Sequence, residues 1–142
     1  MRSELNDVTG HLLRKSHLVA QKCFADAFAG TDISPIQYAL LSTIGGNPGV
    51  NHKDLAAAIA TAASVATTAL KPLLEQGMVL NERDRGDSRS TTYRLSKRGS
   101  VLLGQLRKRL VRTSEILEKP LTEKEAEQLK KLLTKLIDGA FG

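Results

Sequence analysis

The chain has 142 residues, 41% hydrophobic and 25% charged, with no Trp and a single cysteine. That length suits one domain with a sizeable core. Cys23 alone excludes an internal disulfide framework and a multi-cysteine zinc site, and no apolar run approaches the roughly 20 residues of a membrane span. The net charge of +6 is localised: residues 78–119 hold 11 Lys and Arg against 5 Asp and Glu, and the remainder is balanced. A local basic excess is either the footprint of a polyanionic partner or a solvated, cation-rich helix face.

The N-terminal MRSELNDVTG lacks the apolar core of a signal peptide, so a cytoplasmic protein is expected. Leu5, Val8, Leu12, Val19, Cys23, Ala27 and Phe28 recur at helical spacing and predict a helix over 5–29, ended by Gly30. Ser34-Pro35-Ile36-Gln37 reads as a helix start, with Ser34 as cap, Pro35 in the first turn and Gln37 closing a capping box. That helix should reach about Ile44, before Gly45-Gly46-Asn47-Pro48-Gly49. Asn51 caps a short helix carrying Leu55 and Ile59, a turn follows at Ala60 and Thr61, and a further helix spans about Ala62 to Gln76, closed by Gly77. Two short helices and a tight turn have the dimensions of a helix-turn-helix.

Met78–Arg83 and Thr91–Leu95 read as two strands joined by a basic, turn-rich tip. Ser96 caps a long helix to about Glu118. Thr122 and Glu125 form a second capping box, and the last helix, with Leu129, Leu132, Leu133, Leu136 and Ile137, should stop at Gly139. The terminal helices carry apolar stripes that need cover, and a second copy of the chain is the economical cover.

Several motifs in this order resemble the MarR family. Leu55-Ala56 leads to Leu73-Leu74-Glu75-Gln76-Gly77-Met78-Val79, similar to the family's leucine, three residues, glycine and two apolar residues. Arg83-Asp84, Asp87 and Arg89 resemble its wing tip, Leu95-Ser96-Lys97-Arg98-Gly99 its Leu-Thr-x-x-Gly signature, and Ser34-Pro35-Ile36-Gln37-Tyr38 its Thr-Pro-x-Gln segment. The resemblance implies a mainly α fold with a small β-hairpin wing: a single domain over 1–142 with a winged helix-turn-helix at 34–96, a connecting helix at 97–118, and dimerisation helices at 5–29 and 120–140. It further implies a homodimeric, sequence-specific transcription regulator of double-stranded DNA, by family default a repressor, without enzymatic activity or cofactor. Three departures stand out. Ala63 and Thr68 occupy positions where the family carries Arg or Lys, Ser88 replaces a basic residue of the wing tip, and Pro72 predicts a kink or an altered helix end.

On this reading Ser64, Thr67, Thr68 and Lys71 of the recognition helix meet the major groove. Arg85 and Arg89 enter a minor groove, and Asp87 orients Arg89. His52, Lys53, Arg83, Arg94, Lys97 and Arg98 are candidate phosphate contacts, some of them only solvated surface. The segment around His11 and His17 resembles family members that control aromatic-acid catabolism, which makes Arg14, His17 and Tyr38 candidates for a small aromatic carboxylate or thioester effector. The plainer alternative is a solvated Arg14, a packed or surface His17 and a core Tyr38. Cys23 is either a redox-sensing thiol or a small core hydrophobe. His11, His17 and His52 do not assemble a metal site. Gly45 to Gly49 lack the lysine of a phosphate-binding loop, and no nucleophile–base set points to an enzyme. A non-specific architectural DNA-binding protein is a further alternative.

Overall fold

The computed structural model describes residues 1–83 and 90–141, which contain six α-helices and a three-stranded antiparallel sheet. The helices are α1 (Thr9–Ala27), α2 (Pro35–Gly46), α3 (His52–Ala58), α4 (Ala63–Glu75), α5 (Lys97–Glu118) and α6 (Glu123–Phe141). The strands are β1 (Val50–Asn51), β2 (Val79–Arg83) and β3 (Thr91–Leu95), in the order β1-β3-β2. The chain divides into two compact units, residues 28–110 on one hand and residues 1–27 with 111–142 on the other.

The unit of residues 28–110 has its core on α2, where Leu40, Leu41 and Ile44 are fully buried. Leu55 of α3, Ala66, Leu70 and Leu73 of α4, Val79 of β2 and Tyr93 of β3 are buried with them. The α2 start is the expected capping box: Gln37 N–H donates to Ser34 Oγ at 3.2 Å and Ser34 N–H to Gln37 Oε1 at 3.0 Å. Such reciprocal bonds satisfy two amides that the helix itself leaves open. The end of α4 is equally local in origin. Gly77 adopts φ +72, and Met78 N–H reaches back to Leu73 O while Gly77 N–H reaches Leu74 O, a Schellman closure.

Four expectations are corrected. The first helix is broken: Glu4–Asp7 form a 3-10 turn capped by Ser3, and Val8 is extended before α1 begins. A β-branched Val8 and Gly10 near the start of α1 are poor propagators there. α2 runs on through Gly45 and Gly46 to an Asn47 cap. α6 passes Gly139, which keeps ordinary helical backbone and is not a left-handed stop. The hairpin gains a third strand, β1, in which Val50 pairs with Tyr93 and Asn51 with Thr92. Pro72 lies within α4, and the hydrogen-bonded helix continues beyond it to Glu75.

The turn between α3 and α4 places Ala60 in the left-handed region at φ +54. A Cβ there costs about 1–2 kcal/mol, partly offset by glycine's greater freedom when unfolded. Ala60→Gly is therefore expected to raise stability by up to about 1 kcal/mol, or roughly 2–4 °C in a thermal melt; a fall in melting temperature would place the strain elsewhere.

The other unit contains α1, the end of α5 and α6. The second capping box forms as expected, with Glu125 N–H donating to Thr122 Oγ1 at 3.1 Å and Thr122 N–H to Glu125 Oε1 at 3.0 Å. Those bonds hold the Glu125 carboxyl below its ordinary range. Lys130 pairs with Glu118 at 3.1 Å across the α5–α6 corner. The apolar stripe is buried at Cys23 and Ala27 of α1, yet exposed at Leu12 and Val19 of the same helix and at Leu5 and Val8 before it. Leu129, Leu132, Leu136 and Ile137 of α6 are also exposed.

Candidate nucleic-acid interface

Ala66, Leu70 and Leu73 lie four and three residues apart, so they share one side of α4, and all are buried. Helical geometry then fixes the opposite side. Ser64, Thr68 and Lys71 fall on it and are exposed. The chain turns by 102° between α3 and α4, within the roughly 90–120° range of a helix-turn-helix. α4 is thus braced on one side by the core and presents hydroxyls and one ammonium on the other.

The N-terminus of α4 has no side-chain cap, because its cap position is Ala62. The amides of a helix's first turn lack intrahelical partners and carry the positive end of its dipole. Left without a capping side chain on an exposed surface, they suit an incoming phosphate. A substitution that supplies the missing cap should therefore trade function for stability. Ala62→Asp is expected to stabilise the fold by about 0.5–2 kcal/mol. The same change occupies those amides and adds a negative charge, so duplex affinity should drop about tenfold. Thermal melts and duplex titrations on one preparation check this, and parallel gains in both would count against DNA contact at this helix end.

Two residues expected to face DNA are placed differently. The Thr67 hydroxyl donates to Ala63 O at 2.9 Å and lies 3.2 Å from His52 Nε2. His52 is half-buried, with Nδ1 2.8 Å from the Tyr93 hydroxyl and Nε2 2.9 Å from Ala63 O. Both its ring nitrogens therefore face protein groups. Thr68 donates to Ser64 O at 3.1 Å and remains exposed, with its hydroxyl oxygen still able to accept. Burial pushes the Tyr93 phenol above its ordinary value, so it stays a hydrogen-bond donor at neutral pH.

Among the expected phosphate contacts, Lys53, Arg83 and Lys97 are exposed at the start of α3, the end of β2 and the start of α5. Arg94 of β3 pairs with Glu82 of β2 at 3.4 Å, an exposed pair that aims the guanidinium more than it stabilises the fold. Arg98 donates from Nη1 to Gln76 O at 3.1 Å, across the end of α4. Each arginine retains further N–H donors. Arg85, Asp87 and Arg89 lie outside the described residues.

The start of α5 is locked to the turn that leads from α4 into β2. The Ser96 hydroxyl accepts from Gly99 N–H at 3.0 Å and donates to Gly77 O, and Ser96 N–H donates to Met78 O at 3.0 Å. Gly99 lies directly against the Met78 carbonyl, leaving no room for a Cβ. The Leu95 to Gly99 motif thus has a mechanical basis: a capping hydroxyl and a glycine that lets the helix backbone touch the turn leading into β2.

Of the candidate effector residues, Arg14 and His17 are exposed on α1, three residues apart and so on neighbouring positions of one face. Tyr38 belongs to the other unit and is buried, its ring edge-on to Phe28 at 5.5 Å. Burial raises the Tyr38 phenol pKa, partly countered by the Arg107 guanidinium. Cys23 is a buried free thiol. No cluster of three metal-ligating side chains occurs among the described residues, and no single helix among them is long and apolar enough to cross a membrane.

Against known proteins, the model of the MarR family matches residues 31–90. No curated protein sequence matches the chain. Among solved structures, the fold is similar to that of the transcriptional repressor CouR bound to a 23-mer DNA duplex, with a TM-score of 0.87 at 23% identity over 95% of this chain and 96% of that one. It is also similar to the PcaV transcriptional regulator of Streptomyces coelicolor in complex with its natural ligand, with a TM-score of 0.85 at 21% identity over 99% of both chains. A third likeness is to Bordetella bronchiseptica BpsR, whose DNA binding is regulated by 6-hydroxynicotinic acid, with a TM-score of 0.84 at 18% identity over 89% and 96%. These likenesses establish the fold across nearly the whole chain, and the family model covers the part that holds α2, α3, α4, β1 and β2. The chain has the fold of MarR-type winged helix-turn-helix regulators, and its residues 31–90 match the MarR family model.

Proposed function

We propose that the chain acts as a homodimeric repressor that grips a palindromic stretch of duplex DNA and releases it when a small aromatic anion or its thioester binds. The carrying observation is the outward face of α4: Ser64, Thr68 and Lys71 stand opposite a buried stripe, on a helix whose first amides have no capping side chain. Two such helices, presented about 34 Å apart by a two-fold dimer, fit successive major grooves. Lys53, Arg83 and Lys97, with the free donors of Arg94 and Arg98, would meet phosphates, which their exposure supports. Arg85 and Arg89 of the wing tip would reach the minor groove, with Asp87 aiming Arg89.

The exposed leucines of α1 and α6 support the dimer, since apolar stripes of this size on a regulator need a partner surface. Arg14 supports an anionic effector through its capacity for a two-pronged bond to a carboxylate. The relatives named above, one bound to a duplex and one to a natural ligand, favour the same pairing of functions. A cytoplasmic location follows from the proposed partner.

Selection of bound fragments from random duplex DNA, followed by footprinting, tests the reading. A two-fold symmetric protected site is expected, followed by its release on titration with aromatic carboxylates or their thioesters. Uniform coating would indicate an architectural role instead, and absence of binding would overturn the proposal.

A further inference from the structure

The first turn of α4 lacks a cap, and an uncapped first turn frays unless something else holds it. The His52 ring occupies the place where such support could come from. It stands at the first position of α3, behind the Asn51 cap, and meets α4 at two points one turn apart: Ala63 O at 2.9 Å and Thr67 Oγ1 at 3.2 Å, both through Nε2. Its other nitrogen lies 2.8 Å from the hydroxyl of Tyr93, the buried central residue of β3, which pairs with Val50 of β1 and Asn81 of β2.

The hydrogens of this cluster have one self-consistent arrangement with a neutral ring. Ala63 O can only accept, so Nε2 carries the hydrogen. The Thr67 hydroxyl already donates to Ala63 O, so it accepts from Nε2. Nδ1 is then the acceptor, and the Tyr93 hydroxyl donates to it. Every polar atom of the cluster is satisfied, and the chain of bonds runs from the middle of the wing sheet to the first turn of the recognition helix.

We infer that His52 and Tyr93 are positioning residues. They fix the N-terminal turn of α4 against the wing sheet, and thereby set how sharply the protein distinguishes one duplex sequence from another, while His52 itself does not act as a phosphate contact. Thr67 is taken out of base reading by the same bonds, which leaves Ser64, Thr68 and Lys71 as the readers. This rests on the proposal that α4 enters the major groove. It goes further in assigning sequence discrimination to two residues that need not touch DNA.

The test compares the wild-type dimer with His52→Ala, His52→Gln, Tyr93→Phe and the His52→Ala/Tyr93→Phe pair. Three quantities are read: amide exchange across residues 66–70 in the free protein, affinity for the selected site, and affinity for an unrelated duplex over a range of salt. Exchange in the free protein should quicken at least about fivefold in His52→Ala and less in Tyr93→Phe. Affinity for the selected site should fall by about ten- to a hundredfold in His52→Ala, with affinity for the unrelated duplex and the salt slope unchanged. Tyr93→Phe should show a smaller loss of the same kind. The pair should be no worse than His52→Ala, because Tyr93 acts through the ring, and His52→Gln, whose amide can still donate toward Ala63 O, should recover part of the loss. Equal weakening on both duplexes with a salt slope reduced by about one would mark a phosphate contact and overturn the inference. Unchanged exchange, or additive losses in the pair, would overturn it as well. If exchange quickens as expected but the wild type shows no preference among duplexes, the brace stands as structure and the proposed DNA function is what fails. Should His52→Ala not fold, Tyr93→Phe and His52→Gln carry the comparison alone.

Discussion

Replacing Leu132 and Leu136 together by glutamate is expected to leave the chain folded but monomeric, and to lower its affinity for duplex DNA at least about a hundredfold. Both leucines are 53% exposed on α6, and Ile137 beside them is 59% exposed. Substituting them removes little from the interior of the single chain, so helix content by circular dichroism should hold. In a two-fold dimer each change counts twice. Burying the exposed half of a leucine contributes about 1 kcal/mol, whereas a carboxylate forced into the same contact costs several kcal/mol. The effect on DNA follows from geometry. A dimer delivers its second recognition helix at high effective concentration once the first has bound, a gain of about two to four decades over a single lobe. Sedimentation of the variant reads the first expectation and duplex titration the second. A variant that stays dimeric would locate the dimer contact elsewhere.

Gly99→Ala is expected to be the most damaging single methyl in the residue 28–110 unit. A Cβ at Gly99 would overlap the backbone carbonyl of Met78, and backbone cannot step aside as a side-chain end can. Relief requires β2 and α5 to separate, which breaks the Ser96 bonds to Gly77 and Met78 that anchor the base of the wing. Overpacking of this kind costs about 3 kcal/mol or more, or roughly 6–12 °C in melting temperature for a chain of this size. Gly45→Ala is the internal comparison. Its Cβ would come within 2.9 Å of Leu103 Cδ2 and 3.1 Å of Leu95 Cδ1, both ends of flexible side chains, so the loss should be under half as large. Equal melting temperatures for the two variants would contradict the backbone contact at Gly99.

Sequence carried the local devices well. Ser34 with Gln37, Thr122 with Glu125, and Gly77 as a left-handed stop all form as expected, because each partner lies within three to five residues and the chemistry is fixed by residue type. What escaped is long-range. β1 has only two residues, too few for an alternating pattern, and exists because β3 lies alongside. His52 read as a candidate phosphate contact beside Lys53. Its partners Ala63, Thr67 and Tyr93 are 11, 15 and 41 residues away, so nothing near it in sequence announced a brace. Arg94 and Arg98 likewise read as free charges until the fold supplied Glu82 and the end of α4. In each case tertiary placement decided a role that residue type had left open. The missing cap at Ala62 was legible in principle, since an alanine side chain has no atom that can accept a hydrogen bond. Its meaning depends on α4 standing with its first turn exposed.

The decisive measurement is the affinity of the purified protein for its selected duplex between 50 and 200 mM salt, with the number of chains per site counted in the same experiment. Two chains per site and a loss of about three to five decades across that range are expected if roughly 6–10 phosphates are neutralised. A flat salt response, or one chain per site at full affinity, would contradict a paired recognition helix and wing as the DNA-binding surface.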